Sequence, residues 1–401
     1  MFLLIIFEIV RVCDTCEYRD IREAIESVKP YDTIEVFGEK YEVINLIIDK
    51  PVVLIGKNSP ILDGKNRDEI VIVDADSVII KGFIFENSGF GFIKDFSALK
   101  VRNCNGCVIE KNVFKNNMWA IYLDNSRNVV IRDNYVDGGK VKGAGTYSGN
   151  GIHAWRCERI YINGNTVLNH RDGIYFEFVK SADVRDNKLL SNARYGIHLM
   201  FSDSVKIYEN LIYANGAVAI MYSKGFKFFS NRVERHWGGS SYGLLLKDVS
   251  FGEIFGNYFY KNTYGIVFDG ANSVEAKNNA FIYNGYSLRI WANSSKIVIK
   301  DNDFVGNTFD VTVNGFHIDV VMDGNYYDTY EGYDLNGDGY GDVPHRLVKL
   351  FSIFMELSPV FSLFLKSPIQ YILERIEKLF PTIIPYVIED KSPRMRRIWK
   401  S

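Results

Sequence analysis

From Asn112 to Asn302 the chain is built of short runs in which every second residue is apolar, separated by turns rich in Asn, Asp and Gly. "GIHAW", "GIYFEF", "GIHLMF", "VAIMY", "GLLLK" and "GIVFD" follow one another, each with the side-chain period of two that marks a strand. Asparagine recurs between them. Asn112, Asn134, Asn165, Asn187, Asn210, Asn231, Asn257, Asn279 and Asn302 each sit in a polar-Asn-x-apolar unit, and a second asparagine often follows, as at Asn117, Asn192, Asn215, Asn262, Asn284 and Asn307. Asn tolerates the left-handed backbone of a tight turn, and stacked amides can hydrogen-bond between successive turns. A period of about 22 residues, without helical spacing, predicts an all-β, right-handed parallel β-helix of the pectin-lyase-like kind with three short strands per coil. It is expected over 17–325, with two longer loops at 138–150 and 236–243.

The flanks read differently. "YRDIREAIESVKPYDTIEV" predicts a capping helix with Ile21, Ala24, Ile25 and Val28 on its apolar face. Residues 1–16 are a leader or a first strand: "MFLLIIFEIV" lacks a basic start and a small-residue cleavage site and is interrupted by Glu8, so it makes an unconvincing signal peptide. In the segment 326–346, "DLNGDGYGD" sets Asp334, Asn336, Asp338 and Asp342 around glycines, resembling the first part of a calcium loop. His345 stands where a bidentate Glu is expected, so bound Ca2+ and a plain turn-rich loop both stay open. Residues 347–401 predict a helical extension, with Ser358-Pro359 and Ser367-Pro368 as helix starts. A helix over roughly 368–380 would place Ile369, Ile372, Leu373, Ile376 and Leu379 on one face. With "KLFSIF" and "VFSLFLK" this is more apolar surface than an end cap needs, which points to a partner-docking arm. The tail "KSPRMRRIWK" suits a membrane surface or an acidic partner.

Composition narrows the function classes. The net charge is −2 with both signs mixed, which argues against nucleic acid, and no stretch reaches the roughly 20 uninterrupted apolar residues of a membrane span. Cys13-x-x-Cys16 and Cys104-x-x-Cys107 lack the second half of a zinc site, so disulfides or core packing are expected; Cys157 stands alone.

Aligning the strands puts His153, Tyr175, His198, Ala219, Leu245 and Val267 in one outward column and Trp155, Glu177, Met200, Met221, Lys247 and Asp269 in the next. Imidazole with thioether sulfur is a donor set for copper(I) rather than zinc or calcium. His198, Met200 and Met221 are therefore expected to form a weak, exposed copper station, with Glu177 lending negative charge and His153 serving a second position. Bland packing of the same residues under a loop is the competing reading. Glycosidic chemistry needs paired carboxylates. Asp172, Glu177, Asp248 and Asp269 supply no good pair, and sugar-enzyme motifs are missing, so no enzyme is expected. The alternative is a carbohydrate-active β-helix enzyme or a sugar-binding module using the outer aromatics.

"GNGIHAW", "NHRDGIYFEFV", "RYGIHLMFS", "VAIMYS", "YGLLLKD" and "GYDLNGDGYGDVPHR", in this order, resemble the NosD family of nitrous oxide reductase maturation proteins. The resemblance implies a non-enzymatic, extracytoplasmic protein, membrane-associated through an ABC transporter permease, that assists assembly of the reductase's copper centres. A copper chaperone and the reductase itself are the other partners implied. At residue level it touches His153, His170, Glu177, His198, Met200 and Met221.

Overall fold

The computed structural model describes residues 8–91, 94–139, 149–214, 217–239, 241–315, 318–380 and 388–399. They belong to two compact units, Met1–Gly216 and Ala217–Ser401. Each is a stack of coils, and each coil gives one short strand to each of three parallel sheets. In the first unit one coil runs Val108–Glu110, Val113–Lys115 and Trp119–Asp124, pairing with Val130–Arg132, Tyr135–Asp137 and Ile152–Trp155 of the next. In the second, Ser250–Phe255, Tyr258–Tyr260 and Tyr264–Asp269 pair likewise with Asn272–Lys277, Ala280–Ile282 and Tyr286–Trp291. This is the right-handed parallel β-helix that the repeat predicts.

Strand Ile9–Val12 pairs with Thr33–Phe37, and the turn after it is closed by a Cys13–Cys16 disulfide. Helix Ile21–Ser27 follows, its first turn held by Asp20, whose side chain accepts from the Arg22 N–H, and it buries Ile21, Ala24 and Ile25. A second disulfide joins Cys104 to Cys107, and Cys157 is a buried thiol that burial pushes up to about 12.

Asparagines thread the inside of each unit, and for them the structure corrects one expectation. The ladder asparagines are not in the left-handed region. The residue before each one is: Lys111, Asp133, Gly164, Asp186 and Glu209 have φ of 54°, 55°, 69°, 52° and 58°. The asparagine is needed for its amide. Asn112, Asn134, Asn165 and Asn187 each donate a backbone N–H to the side-chain oxygen of the next asparagine at 3.0 Å. Their Nδ2 groups donate to the same oxygen and to main-chain carbonyls such as Ile109 O and Ile131 O. Both halves of the amide are thus satisfied in the dry interior, which a hydroxyl or an apolar side chain could not do.

In the second unit the ladder runs through Asn257, Asn279, Asn302 and Asn325 and ends on Asp390. This carboxylate is fully buried and accepts from Asn325 N and Nδ2, Gly324 N, Tyr327 Oη and Ser392 N. The last rung has only donors to meet, and a carboxylate is all acceptor. Strand Glu389–Asp390 also pairs in parallel with Val320–Asp323 and antiparallel with His345–Arg346. The chain thus leaves after Arg346 and returns at Glu389, two points clamped together.

That excursion holds helix Leu350–Leu357, the 3₁₀ turn Pro359–Phe364 and helix Pro368–Leu379. Phe351 is buried against Phe309, and Glu377 Oε2 accepts from Leu350 N at 2.9 Å, so the later helix caps the earlier one. Ser358 caps its 3₁₀ turn as expected, whereas Ser367 makes no side-chain cap; Gln370 Oε1 instead accepts from Lys366 N. Leu363 is 79% and Leu379 73% exposed, with Val360, Ile369, Ile372 and Phe380 also in solvent. The basic tail returns to the coils: Arg394 pairs with Asp301, and Asp303 accepts from Ile398 N and Trp399 N.

Asp390→Asn removes acceptor capacity from a buried site and is expected to cost about 1–3 kcal/mol of stability, read by urea denaturation of the full chain. An unchanged midpoint would show that the last rung carries no weight.

Candidate functional site

The third sheet of the first unit carries the candidate residues. Register places Lys100, Tyr122, His153, Tyr175 and His198 in one column, and Asp124, Trp155, Glu177 and Met200 in the next. The first column is a continuous ring stack: Tyr122 to His153 at 5.1 Å, His153 to Tyr175 at 4.7 Å, Tyr175 to His198 at 4.8 Å, with Trp119 and Tyr195 flanking at 4.5 and 4.6 Å. Here the structure departs from the open station expected. His153 is only 5% and His198 only 4% exposed, because aromatic neighbours on both sides fill the space above the strand. Glu177 and Met200, adjacent in register, are half-buried and form the more accessible edge.

Two polar networks brace the imidazoles. Asp172, fully buried, is held bidentately by Arg194, through Nε to Oδ1 at 2.9 Å and through Nη2 to Oδ2. Its Oδ2 lies 3.4 Å from His198 Nδ1, and Arg194 Nη2 lies 3.1 Å from the same nitrogen. One coil earlier, Arg171 Nη2 donates to Asn150 Oδ1 at 3.1 Å, and Asn150 Nδ2 lies 3.3 Å from His153 Nδ1. Burial, then the like charge of Arg171, pushes His153 down to about 3. Burial also lowers His198, against the opposing pull of Asp172. Burial of the Asp172 carboxyl opposes ionisation, but its bonds to His198 and Arg194 overcome that and hold it below the usual carboxylate range. Burial and the neighbouring Glu177 push Tyr175 up to about 12. The outer Nε2 atoms of His153 and His198 are both buried with no hydrogen-bond partner.

The other expected residues lie elsewhere. Met221 belongs to the second unit, half-buried and in register with Lys247. Ala219, Leu245 and Val267, expected to face outward, are buried. Asp334 accepts from Gly337 N and Gly339 N, Asn336 from Asp338 N, Asp338 from Tyr340 N and Asp342 from Leu335 N, so the Asp-rich loop spends its carboxylates on its own backbone. His345 packs against Tyr327 and Tyr330. His170 is a ladder member: it follows Asn169 at φ 59°, its N–H donates to Asn192 Oδ1, and it is fully buried. Asn150, Arg171 and Arg194 were not singled out from sequence. Their signal is positional, since Asn150 and Asp172 each stand immediately before a Gly-Ile pair, with the arginines alongside.

Residues 51–148 and 141–332 match the family described as periplasmic copper-binding protein (NosD). The chain belongs to that family. Two relatives, each named a probable ABC transporter binding protein NosD, come from Pseudomonas aeruginosa and Stutzerimonas stutzeri. The first is 26% identical over 88% of this chain and 86% of its own length, the second 25% over 87% and 84%. Among solved structures, the α-1,3-glucanase of Streptomyces thermodiastaticus superposes with a TM-score of 0.63 at 12% identity, covering 77% of this chain and 65% of that one. A family 6 alginate lyase bound to a trisaccharide gives 0.60 at 14% identity, covering 86% and 90%. At such identities these two show a common fold and no common chemistry. Among the described residues no helix is long and apolar enough to cross a membrane.

Buried histidines also fix a pH dependence. His153 is lowered to about 3, and His170 and His345 to about 4, all chiefly by burial. Each stays neutral in the fold but takes a proton in the unfolded chain below its ordinary value of 6.5, so stability is lost as pH falls from there toward the folded values. Asp310, pushed up to about 6 by burial, opposes this, as do Asp95, Asp303 and Glu377, whose carboxyls burial also raises. The melting temperature is expected to fall between pH 7 and about 4.5, and His170→Asn, which restores the ladder residue, to flatten the decline. A profile identical to the native one would remove His170 from the account.

Proposed function

We propose that the chain is an extracytoplasmic accessory protein that works with an ABC-type transporter in assembling the copper centres of nitrous oxide reductase, receiving copper(I) from a chaperone and handing it on. The observation that carries this is the pairing of a buried imidazole whose outer nitrogen has no partner, His198, with the half-open Glu177–Met200 edge two residues along. Imidazole and thioether suit copper(I), and Glu177 adds the charge that favours a cation. Copper is cargo here. A site with one buried donor and an accessible thioether edge can release its ion sideways, which a closed shell of four ligands cannot. His153 shares the ring column with His198, and Met221, in the second unit, is no part of this edge. Membership of the copper-binding family and the relatives' names support the reading.

The helical excursion supplies the second half. Its exposed aliphatic row, Val360, Leu363, Ile369, Ile372 and Leu379, fits an apolar surface on the permease, and the clamp at Asp390 would hold it to the last coil.

Met200→Leu keeps volume and removes sulfur. Copper(I) affinity, measured against a chromophoric chelator, is expected to drop while the melting temperature hardly moves; equal affinity would reassign the stripe to protein recognition. Leu363→Glu with Ile372→Glu, at positions the fold does not bury, should abolish co-purification with the permease at unchanged stability. Retained co-purification would move the docking surface elsewhere.

A further inference from the structure

Two coils of the first unit carry the same bracing arrangement with one group exchanged. Arg171 donates to Asn150 Oδ1, which turns the Asn150 amino group toward His153 Nδ1 at 3.3 Å. Arg194 donates to both oxygens of Asp172, which turns a carboxylate oxygen toward His198 Nδ1 at 3.4 Å. Both imidazoles are more than nine-tenths buried, and in both the outer Nε2 has no hydrogen-bond partner.

The exchange of amide for carboxylate decides which nitrogen can hold the proton. An amino group offers only hydrogens, so His153 Nδ1 must present its lone pair, and the proton of the neutral ring sits on Nε2. In that state Nε2 is a donor with nothing to give a cation. Moving the proton to Nδ1 would set N–H against N–H inside the protein, with no acceptor to meet it. His198 Nδ1 faces a donor, Arg194 Nη2 at 3.1 Å, and also an acceptor, Asp172 Oδ2 at 3.4 Å, so a proton on this nitrogen has the carboxylate to meet it, which His153 Nδ1 lacks. With the proton on Nδ1 and bonded to the carboxylate, Nε2 is left with a free lone pair and no hydrogen-bond partner. Carboxylates orient metal-binding imidazoles in this way.

We infer that His198 is the copper-ligating imidazole of the stripe, that Asp172 is its positioning residue, and that Asn150 locks His153 as an N–H donor that takes no cation. This rests on the copper reading above and narrows it to one histidine. It also gives the Arg171–Asn150 pair a purpose: an ion travelling along the stripe meets one acceptor nitrogen and one N–H, which keeps it from spreading back along the column.

The test uses the full chain labelled with 15N, in which long-range 15N–1H correlation reads each tautomer without metal, the signals assigned with His153→Gln and His198→Gln. The His153 proton is expected on Nε2, and copper(I) competition titrations should show His198→Gln losing about tenfold or more in affinity and His153→Gln changing it by less than about twofold. Asn150→Asp supplies an acceptor at the same place; it should move the His153 proton to Nδ1 and strengthen copper(I) binding, an effect that a packing role for Asn150 would not produce. A native His153 protonated on Nδ1 would overturn the inference, as would equal losses in the two glutamine variants or an Asn150→Asp chain that shifts the tautomer without gaining copper(I). A native chain that binds no copper(I) would overturn the copper reading together with the ligand assignment, whereas the failures above leave the copper reading standing.

Discussion

The buried asparagine amide is the constraint on which everything else depends. Each coil must bring main-chain N–H and C=O groups into a dry interior at its corner, and an amide has one acceptor and two donors to answer them. Asn134, for example, accepts from Asn112 N and donates to Ile109 O and Asn165 Oδ1. Because each rung bonds to the next, the coils stack in one register. Because the register is fixed, residues that are about 22 apart in sequence become vertical neighbours.

That regularity makes the stripe. Tyr122, His153, Tyr175 and His198 stack because each occupies the same strand position in consecutive coils, and ring-on-ring contact then buries them. Burial would leave polar ring atoms stranded, so the structure meets each Nδ1 with a partner of its own, Asn150 or Asp172, and orients those partners with Arg171 and Arg194. The Asp172–Arg194 pair is desolvated on the carboxylate side, and removing Arg194 would leave the buried carboxylate with only Arg171 and His198 beside it. What remains unmet in both imidazoles is the outer nitrogen.

The end of the stack obeys the same rule with the sign of the polar group changed. Inside the column a rung must both give and receive, so it is Asn; at the terminus it only receives, so it is Asp390. The same residue lies in the two-residue strand that brings the excursion back, so the helices are inserted between two points of one clamp. A partner binding the exposed aliphatic row would pull on the final rung rather than on a free tail.

The sequence by itself determined the solenoid, its period, the capping helix Ile21–Ser27 and the helical excursion, because each follows from local patterns: period two in strands, recurring asparagine, and an apolar stripe at helical spacing. It also placed His153, Tyr175 and His198 in one column, since the repeat converts sequence spacing directly into height. Only the tertiary structure decided how open that column is, because burial depends on the size of rings contributed by neighbouring coils, Trp119 and Tyr195 among them. It likewise decided that the ladder asparagines serve through their amides and not through left-handed backbone, which falls on the preceding residue. And it alone separated two histidines that look alike in sequence. Whether Nδ1 meets an amino group or a carboxylate is set by which side chains converge across coils, and hydrogen-bond direction is a property of that convergence.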